Sequence, residues 1–171
     1  MKNIPIAVLV VLSATGGLAW ADTAPVAAAM VEGRSGSQAR GSVIFTPAGD
    51  KIRVGVRISG LTPGEHGFHI HEAGDCSAPD AMSAKGHFNP AGRAHGHVTA
   101  AEHHAGDLPN LVADADGNAR ASTEVSGFTL DDGPTGILGR AVVIHADPDD
   151  YKTQPAGNSG KRVACGVIKA H

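Results

Sequence analysis

The sequence predicts an all-β fold, a single-domain sandwich or barrel with two long loops. Three observations support this prediction. Short apolar or alternating runs of strand length follow one another, and glycine- and proline-rich turns separate them. The first half of the chain shows no stripe of apolar residues with the period of a helix. The composition, with 23 Gly, 10 Pro and only 4% aromatic residues, is typical of a loop-rich β protein.

Eight segments are predicted to be strands. The clearest is 51–58 (KIRVGVRI), where Ile and Val alternate with charged or small residues, which is the period of a half-buried strand. The run 139–145 (GRAVVIH) predicts a buried strand, and the Asp116-Gly117 turn predicts a hairpin. The predicted strands are 24–33, 41–46, 51–58, 67–71, 111–115, 118–125, 139–145 and 163–168.

Two stretches without periodicity interrupt these strands, at 72–108 and at 146–161. A loop as long as the first one is uncommon inside a compact domain unless it is functional or is tied down by other bonds. We therefore expect the functional residues to lie on these two loops.

The first 21 residues have the pattern of a secretory signal peptide. Lys2 provides a positive charge, Ile4 to Leu12 is apolar apart from Pro5, and Ala19-Trp20-Ala21 has small residues where a signal peptidase cleaves. A membrane anchor is the alternative, but the apolar run is shorter than the roughly 20 residues that span a bilayer. We predict a leader at 1–21, one domain at 22–171 and a periplasmic location.

Charge and cysteine content narrow the class of protein further. The formal net charge is −3, and removal of Lys2 with the leader makes it more negative, so neither nucleic-acid binding nor binding to an anionic membrane is expected after cleavage. The two cysteines, Cys76 and Cys165, are predicted to form a disulfide because the chain is exported. Two buried free thiols are the alternative, which an oxidising periplasm disfavours.

Ten histidines are the most informative feature of the sequence. His69 and His71 are two apart on a predicted strand, so both side chains leave the same face, although an H-x-H pair alone is weak evidence. The series His87, His95, His104 and Asp107 is more specific, because three imidazoles and a carboxylate make a closed tetrahedral set that suits Zn²⁺. His145, at the end of a buried strand, could complete the first group, and an imidazole-rich site suits Cu²⁺.

Four motifs resemble those of the copper/zinc superoxide dismutases, in the order of that family and at close to its spacings. They are GFHIHE at 67–72, GHFNP at 86–90, HAGDL at 104–108 and GNSGKRVACGVI at 157–168. The resemblance, to the secreted bacterial type, runs from about residue 24 to 168. It implies a Greek-key barrel of about eight antiparallel strands. It also implies an enzyme that dismutates the superoxide anion to O₂ and H₂O₂, using a redox-cycling Cu(II)/Cu(I) bridged through an imidazolate to a structural Zn(II).

The resemblance also implies roles for individual residues. His87 would be the imidazolate bonded to both metals, and it would relay a proton. Asp149 would accept hydrogen bonds from one histidine of each site, and Arg162 would attract and position the anion. Cys76 and Cys165 match the family disulfide. The copper ligands would be His69, His71, His87 and His145, and the zinc ligands His87, His95, His104 and Asp107.

The remaining histidines and acidic residues have simpler interpretations. His66 is expected to be structural, His97 and His103 to be exposed loop residues, and His171 to be disordered. Asp147 and Asp150 are expected to be solvated. Pro155-Ala156 stands where animal cytosolic members carry Lys-Thr, and Lys152 and Lys161 are the nearby basic residues, so electrostatic guidance of the substrate can differ from theirs.

Two alternative functions and the oligomeric state stay open. A periplasmic copper or zinc buffer could use the same ligands without turnover, but it would need neither Arg162 nor Asp149. A sandwich that has lost its metals is a weaker alternative, because every ligand position is filled. The resemblance leaves both a homodimer and a monomer open.

Overall fold

Nine antiparallel strands make up the part of the chain that the structure describes. The computed structural model describes residues 26–171, so the predicted leader and the start of the first predicted strand lie outside the described residues. Within this range the one helical element is a single 3-10 turn at Met82–Ala84, which confirms the all-β prediction. No helix among residues 26–171 has the length and apolar character needed to cross a membrane. The strands are β1 (Ala27–Gly33), β2 (Arg40–Ala48), β3 (Lys51–Ser59), β4 (Gly64–His66), β5 (Phe68–His71), β6 (Leu111–Ala113), β7 (Ala119–Val125), β8 (Ala141–His145) and β9 (Arg162–Ala170).

The strands form a single sheet in the order β4-β6-β7-β3-β2-β1-β9-β8-β5. The neighbours β3–β7 and β1–β9 are distant in sequence, as Greek-key connections produce. The strands at the two ends of this order, β4 and β5, are separated only by Gly67. Because the two ends of the sheet are thus held together, the sheet closes around its core as a barrel.

Side chains along the strands point alternately into the core and towards solvent. In β3 the side chains of Val54, Val56 and Ile58 are buried in the core, while Arg53 and Arg57 are exposed. This confirms the prediction of a half-buried strand for this segment. The core cluster includes residues from every strand except β4, together with residues from the long connections.

Strand β8 is buried on both faces, as its continuous apolar sequence predicts. Val142 and Ile144 face the main core, whereas Ala141 and Val143 belong to a second cluster with Ala84. The second cluster includes Ala81 and Cys165 and packs against Cys76. The outer face of β8 is therefore covered by the long loop that follows β5.

Three long connections link the strands, one more than predicted. The predicted loops join β5 to β6 and β8 to β9. The additional connection joins β7 to β8 and contributes Phe128 and Ile137 to the core. The ring of Phe128 meets that of Phe45 edge to face, with centroids 6.3 Å apart.

Candidate metal centre

Strands β5 and β8 bring three histidines together. Residues alternate along β5, so Phe68 and Ile70 enter the core while His69 and His71 leave from the opposite face. Strand β5 pairs with β8, and the backbone N–H of His145, at the end of β8, donates to the carbonyl of Gly67, 2.8 Å away. All three imidazoles are buried.

His87 completes a group of four histidines. The ligand atoms of His69, His71, His87 and His145 all lie within 4.8 Å of one another. His87 reaches this position from the β5–β6 loop through an isolated β-bridge to His71. The structure therefore brings together the four residues that the sequence analysis grouped as one set.

One nitrogen of each of these four rings is buried without a hydrogen-bond partner in the described part of the chain. These atoms are His69 Nδ1, His71 Nε2, His87 Nε2 and His145 Nε2. An unpaired buried polar atom costs free energy, and native proteins rarely leave four of them side by side. Four converging imidazole nitrogens are a donor set that suits copper, so these residues fit that metal.

The second nitrogen of each ring is held by the protein. His69 Nε2–H donates to Asp149 Oδ2 at 2.7 Å, and His71 Nδ1–H donates to the carbonyl of Lys85 at 2.9 Å. His145 Nδ1 faces Ser159 Oγ at 3.1 Å. These partners fix the tautomer in which the inward nitrogen keeps its lone pair, which a metal ligand requires.

The second group consists of His87, His95, His104 and Asp107. One carboxylate oxygen, Asp107 Oδ1, lies 2.8 Å from His87 Nδ1, 3.0 Å from His95 Nδ1 and 3.4 Å from His104 Nδ1. The His104 and His87 Nδ1 atoms are 3.3 Å apart. Ligands about 2.0–2.1 Å from a tetrahedral zinc are separated by about 3.3 Å, so the spacing of these donors fits zinc.

Burial keeps most of these imidazoles neutral. It lowers the pKa of His87 to about 4 and that of His145 to about 2, and it also lowers the pKa of His69 and His71. Burial also acts to lower the pKa of His95, but hydrogen bonds to Asp107 and Asp149 outweigh it and raise the pKa to about 9. At neutral pH His69, His71 and His145 are therefore ready to bind a metal without losing a proton.

Asp149 links the two groups. Its Oδ2 accepts from His69 Nε2 at 2.7 Å, and its Oδ1 accepts from His95 Nε2 at 2.9 Å. The carboxylate is buried, which acts to raise its pKa, but the bonds from His69 and His95 hold the pKa well below its usual range. A Cβ atom at Gly157 would lie 1.7 Å from Asp149 Oδ1, so only glycine fits where the β8–β9 loop passes this carboxylate.

Arg162 lies beside the histidine group. It pairs with His145 across strands β8 and β9. Its Nη1 donates to the carbonyl of Ala81 at 2.8 Å, and its Nη2 donates to the carbonyl of Lys85 at 2.5 Å. Lys85 also accepts the hydrogen bond from His71, so one carbonyl orients both side chains.

The disulfide between Cys76 and Cys165 is present, which confirms the sequence prediction. The Cα atoms are 5.8 Å apart, and the two residues are separated by 89 positions in the sequence. The bond joins the β5–β6 loop to β9, three residues after Arg162. Arg34 Nε supports the loop by donating to the carbonyl of Cys76 at 2.9 Å.

The other histidines lie outside both groups. His66 is buried, and its two ring nitrogens lie 2.7 Å from the carbonyl of His145 and 2.8 Å from that of Thr62, as a structural histidine would. His97 and His103 are half-buried rather than exposed as expected. His97 packs edge-on against Tyr151, and the backbone N–H of His171, expected to be disordered, donates to the carbonyl of Val26 at 2.8 Å.

The sequence did not reveal four residues that support the centre, namely Lys85, Asn110, Tyr151 and Gln154. Lys85 acts through its own backbone carbonyl, which accepts from the side chains of His71 and Arg162, and Gln154 acts through contacts of its side chain with the backbone of His95. Asn110 and Tyr151 bond to each other and to Asp149. No spacing in the sequence signals such contacts, because they arise where two separate loops meet.

Fold and site together define a β-barrel with two adjoining metal-binding groups that share one histidine. The family model described as copper/zinc superoxide dismutase (SODC) matches residues 39–168. This chain is 47% identical over 135 residues to superoxide dismutase [Cu-Zn] 2 of Aquifex aeolicus, covering 76% of this chain and 78% of that protein. It is 44% identical over 142 residues to superoxide dismutase [Cu-Zn] of Deinococcus radiodurans, with 76% and 77% coverage.

A solved structure of the clock protein EA4 is also similar. It matches with a TM-score of 0.78 at 42% sequence identity, covering 87% of this chain and 96% of that one. The chain belongs to the copper/zinc superoxide dismutase family.

Proposed function

We propose that this protein dismutates superoxide to O₂ and H₂O₂ with one copper and one zinc ion. The observation that carries the proposal is the position of His87. Its Nδ1 lies 2.8 Å from Asp107 Oδ1 in one group, and its Nε2 is buried and unpaired among residues 26–171 in the other. A single imidazole thus joins two sites of different donor chemistry.

The donor chemistry of each group supports the choice of metal. Copper, when bound, supplies the one-electron redox chemistry, while zinc keeps its charge. Four imidazoles suit copper, and three imidazoles with a carboxylate suit zinc. We assign copper to His69, His71, His87 and His145, and zinc to His87, His95, His104 and Asp107.

Two residues handle the charge and the protons of the substrate. Arg162 uses two of its five N–H groups on carbonyls, which leaves others to attract and orient the superoxide anion. His87 Nε2 has no competing partner within the described residues, so it can hold a proton and pass it to the reduced product. Formation of H₂O₂ consumes two protons, which makes a proton-holding group at this position useful.

Asp149 keeps the ligand rings of both sites in place. It accepts a hydrogen bond from His69 and another from His95, and such carboxylates raise the basicity of ligand imidazoles. A protein that only stored metal would need neither this link nor the arginine.

The proposal is tested by loading the metal-free protein with copper and zinc and measuring superoxide dismutation. Arg162→Ala should bind both metals and turn over roughly 10-fold more slowly, because the local attraction for the anion is lost. His145→Ala should be nearly inactive, because one of four copper ligands is removed. If the correctly loaded parent shows no turnover, a copper or zinc buffer becomes the better description.

We also propose export to the periplasm, with cleavage of a signal peptide after Ala21 and a mature domain at 22–171. The disulfide supports this proposal, because such bonds persist in oxidising compartments. Mass spectrometry of the periplasmic fraction should find a chain that starts at Asp22. Recovery of the intact 171-residue chain from the cytosol would contradict the proposal.

A homodimer is a further proposal, based on the family alone. Sedimentation velocity over a range of concentrations should show a species of twice the monomer mass. A monomer at every concentration would reject it.

A further inference from the structure

Two side-chain amides hold the loops of the metal centre together. Gln154 Oε1 accepts from the backbone N–H of His95 at 2.8 Å, and its Nε2 donates to the His95 carbonyl at 2.9 Å. Asn110 pairs with Asp149 in the same way, since its Oδ1 accepts from the Asp149 N–H and its Nδ2 donates to the Asp149 carbonyl, both at 3.0 Å. Each amide thus occupies both backbone polar groups of one residue, as a neighbouring strand would.

The two residues held in this way are the two partners of one buried hydrogen bond. His95 Nε2 donates to Asp149 Oδ1 at 2.9 Å. Gln154 lies on the loop of Asp149 but holds His95, whereas Asn110 ends the loop of His95 but holds Asp149. Each loop therefore contributes one amide to the other, and the pair fixes the distance between the two backbones on either side of this hydrogen bond.

Tyr151 ties this arrangement together. Its hydroxyl oxygen accepts from the backbone N–H of Asn110 at 2.7 Å, and its own backbone N–H donates to Asp149 Oδ1, also at 2.7 Å. The direction in which the Asp149 carboxylate points therefore depends on the position of Asn110. The orientation of the His95 ring depends in turn on that carboxylate and on the backbone held by Gln154.

We infer that Gln154 and Asn110 are positioning residues that set His95 and Asp149 for zinc binding. Neither side chain offers an atom to either metal-binding group. Their effect passes through His95, whose Nδ1 can bind zinc only while the ring keeps its orientation. The inference rests on the proposed assignment of His95 to zinc.

Gln154 is the better residue to test, because it is exposed and its replacement leaves the core unchanged. Gln154→Met keeps the length of the side chain and removes both hydrogen bonds to His95, together with a longer one to the carbonyl of Lys152. Removal of a group that orients a metal ligand typically weakens metal binding 10- to 100-fold. Because Gln154 acts on His95 through the backbone, we expect its replacement to lower the zinc affinity by about 10-fold. The matched control is Gln38→Met, at the other glutamine of the chain, which is exposed between β1 and β2.

The experiment measures zinc affinity of the full mature protein by competition with a chelator, together with the visible spectrum of Co²⁺ bound in place of zinc. Gln154→Met should bind zinc about 10-fold more weakly and shift the Co²⁺ absorption bands, while Gln38→Met stays within twofold of the parent with unchanged bands. Asn110→Ala should change affinity and spectrum in the same direction. A purely structural role would lower the unfolding free energy of the metal-free protein and leave the Co²⁺ bands where they are.

The variant His95→Ala distinguishes a failure of the positioning role of Gln154 from a failure of the assignment of His95 to zinc. If His95→Ala loses zinc but Gln154→Met keeps the parent's affinity and spectrum, the inference is wrong and the zinc assignment stands. If His95→Ala also binds zinc as tightly as the parent, the assignment itself fails and the inference fails with it.

Discussion

His95 differs in its charge from the four histidines of the first group. Burial lowers the pKa of His87 to about 4, whereas Asp107 and Asp149 together outweigh burial at His95 and raise its pKa to about 9. Both ring nitrogens of His95 face a carboxylate oxygen, at 3.0 and 2.9 Å. In the metal-free protein at neutral pH, His95 is therefore protonated and donates to both.

Zinc binding should consequently be linked to proton release from His95. A zinc ligand must have a free lone pair, so at pH 7 the ion displaces this proton, and the apparent affinity should rise up to about tenfold per pH unit towards pH 9. Calorimetry in buffers of different ionisation enthalpy measures the released protons. An affinity that stays constant between pH 7 and 9 would contradict the prediction.

The same proton contributes to the stability of the metal-free protein. Because folding raises the pKa of His95 from 6.5 to about 9, its contribution is fully present below pH 6.5 and is lost as the pH rises through 9. Urea denaturation of the metal-free protein should therefore show a lower unfolding free energy at pH 9 than at pH 6.5. Equal values would mean that the two carboxylates do not hold His95 in its charged form.

At the scale of single residues, the sequence predicts those metal-binding side chains that stand at a characteristic spacing in the chain. Motifs such as GFHIHE and HAGDL, together with the spacing of His95 and the strand end at His145, predict the histidines of both groups, and the structure brings these residues together. The positive φ of Lys85 and the amide contacts of Asn110 and Gln154 could not be predicted in this way. They depend on which backbone groups two loops present to each other, and that is decided only when the barrel has formed.

At the scale of elements, the disulfide fastens the first loop to β9. In the chain-entropy model, a bond that closes a loop of 89 residues stabilises the folded state by about 4–5 kcal/mol. The variant Cys76→Ser with Cys165→Ala should lower the unfolding free energy of the metal-free protein by about 3–5 kcal/mol in urea. Alanine is chosen at Cys165 because this residue is buried.

Reduction of the parent with dithiothreitol provides the control for this prediction. The reduced, metal-free parent should unfold at about the same urea concentration as the double variant. A loss below about 1 kcal/mol would show that the unfolded chain is already compact enough for the bond to matter little.

The β8–β9 loop offers a second test at this scale. Gly157 and Gly49 have similar backbone angles, with φ of 64° and 66°, but a Cβ at Gly157 would collide with Asp149 while one at Gly49 meets nothing within 4 Å. Gly49→Ala should therefore cost only about 1 kcal/mol of stability. Gly157→Ala should in addition weaken zinc binding, measured by chelator competition, because Asp149 has to move. Equal zinc affinity in both variants would contradict this explanation.

Strands with clear alternation were predicted to within a few residues, and the rest of the chain was harder to interpret. Strand β4 has the sequence Gly-Glu-His, which contains no alternation of apolar and polar residues. It is a strand only because its backbone pairs with β6. The connection from 126 to 140 supplies Phe128 and Ile137 to the core, but turn residues separate them. Neither strand β4 nor this connection has the periodic spacing of apolar residues from which a strand or a core segment is predicted.

At the scale of the whole molecule, a protein with a negative net charge acts on an anionic substrate. The formal net charge is −3, yet the residue beside the histidine group is Arg162, with Lys161 next to it. The attraction at short range should exceed the repulsion of charges spread over the surface. The rate of dismutation should therefore fall as salt rises, since the screening length falls from about 30 Å at 0.01 M to about 8 Å at 0.15 M.

Pulse radiolysis at several ionic strengths measures this effect. Arg162→Ala should flatten or reverse the salt dependence, whereas Arg57→Ala, at an exposed position on β3, should leave it unchanged. A parent rate that rises with salt would show that the overall negative charge dominates the encounter.

The position of His87 has a consequence for the order in which the two metals can be handled. A neutral imidazole has one lone pair, so His87 can serve both groups only after giving up its last ring proton. Occupancy of one group therefore changes the binding free energy of the other, and thermodynamic linkage requires this influence to be equal in both directions. Whatever factor zinc contributes to the retention of copper, copper must contribute to the retention of zinc. A shortage of either ion in the cell thus changes how tightly this protein binds the other.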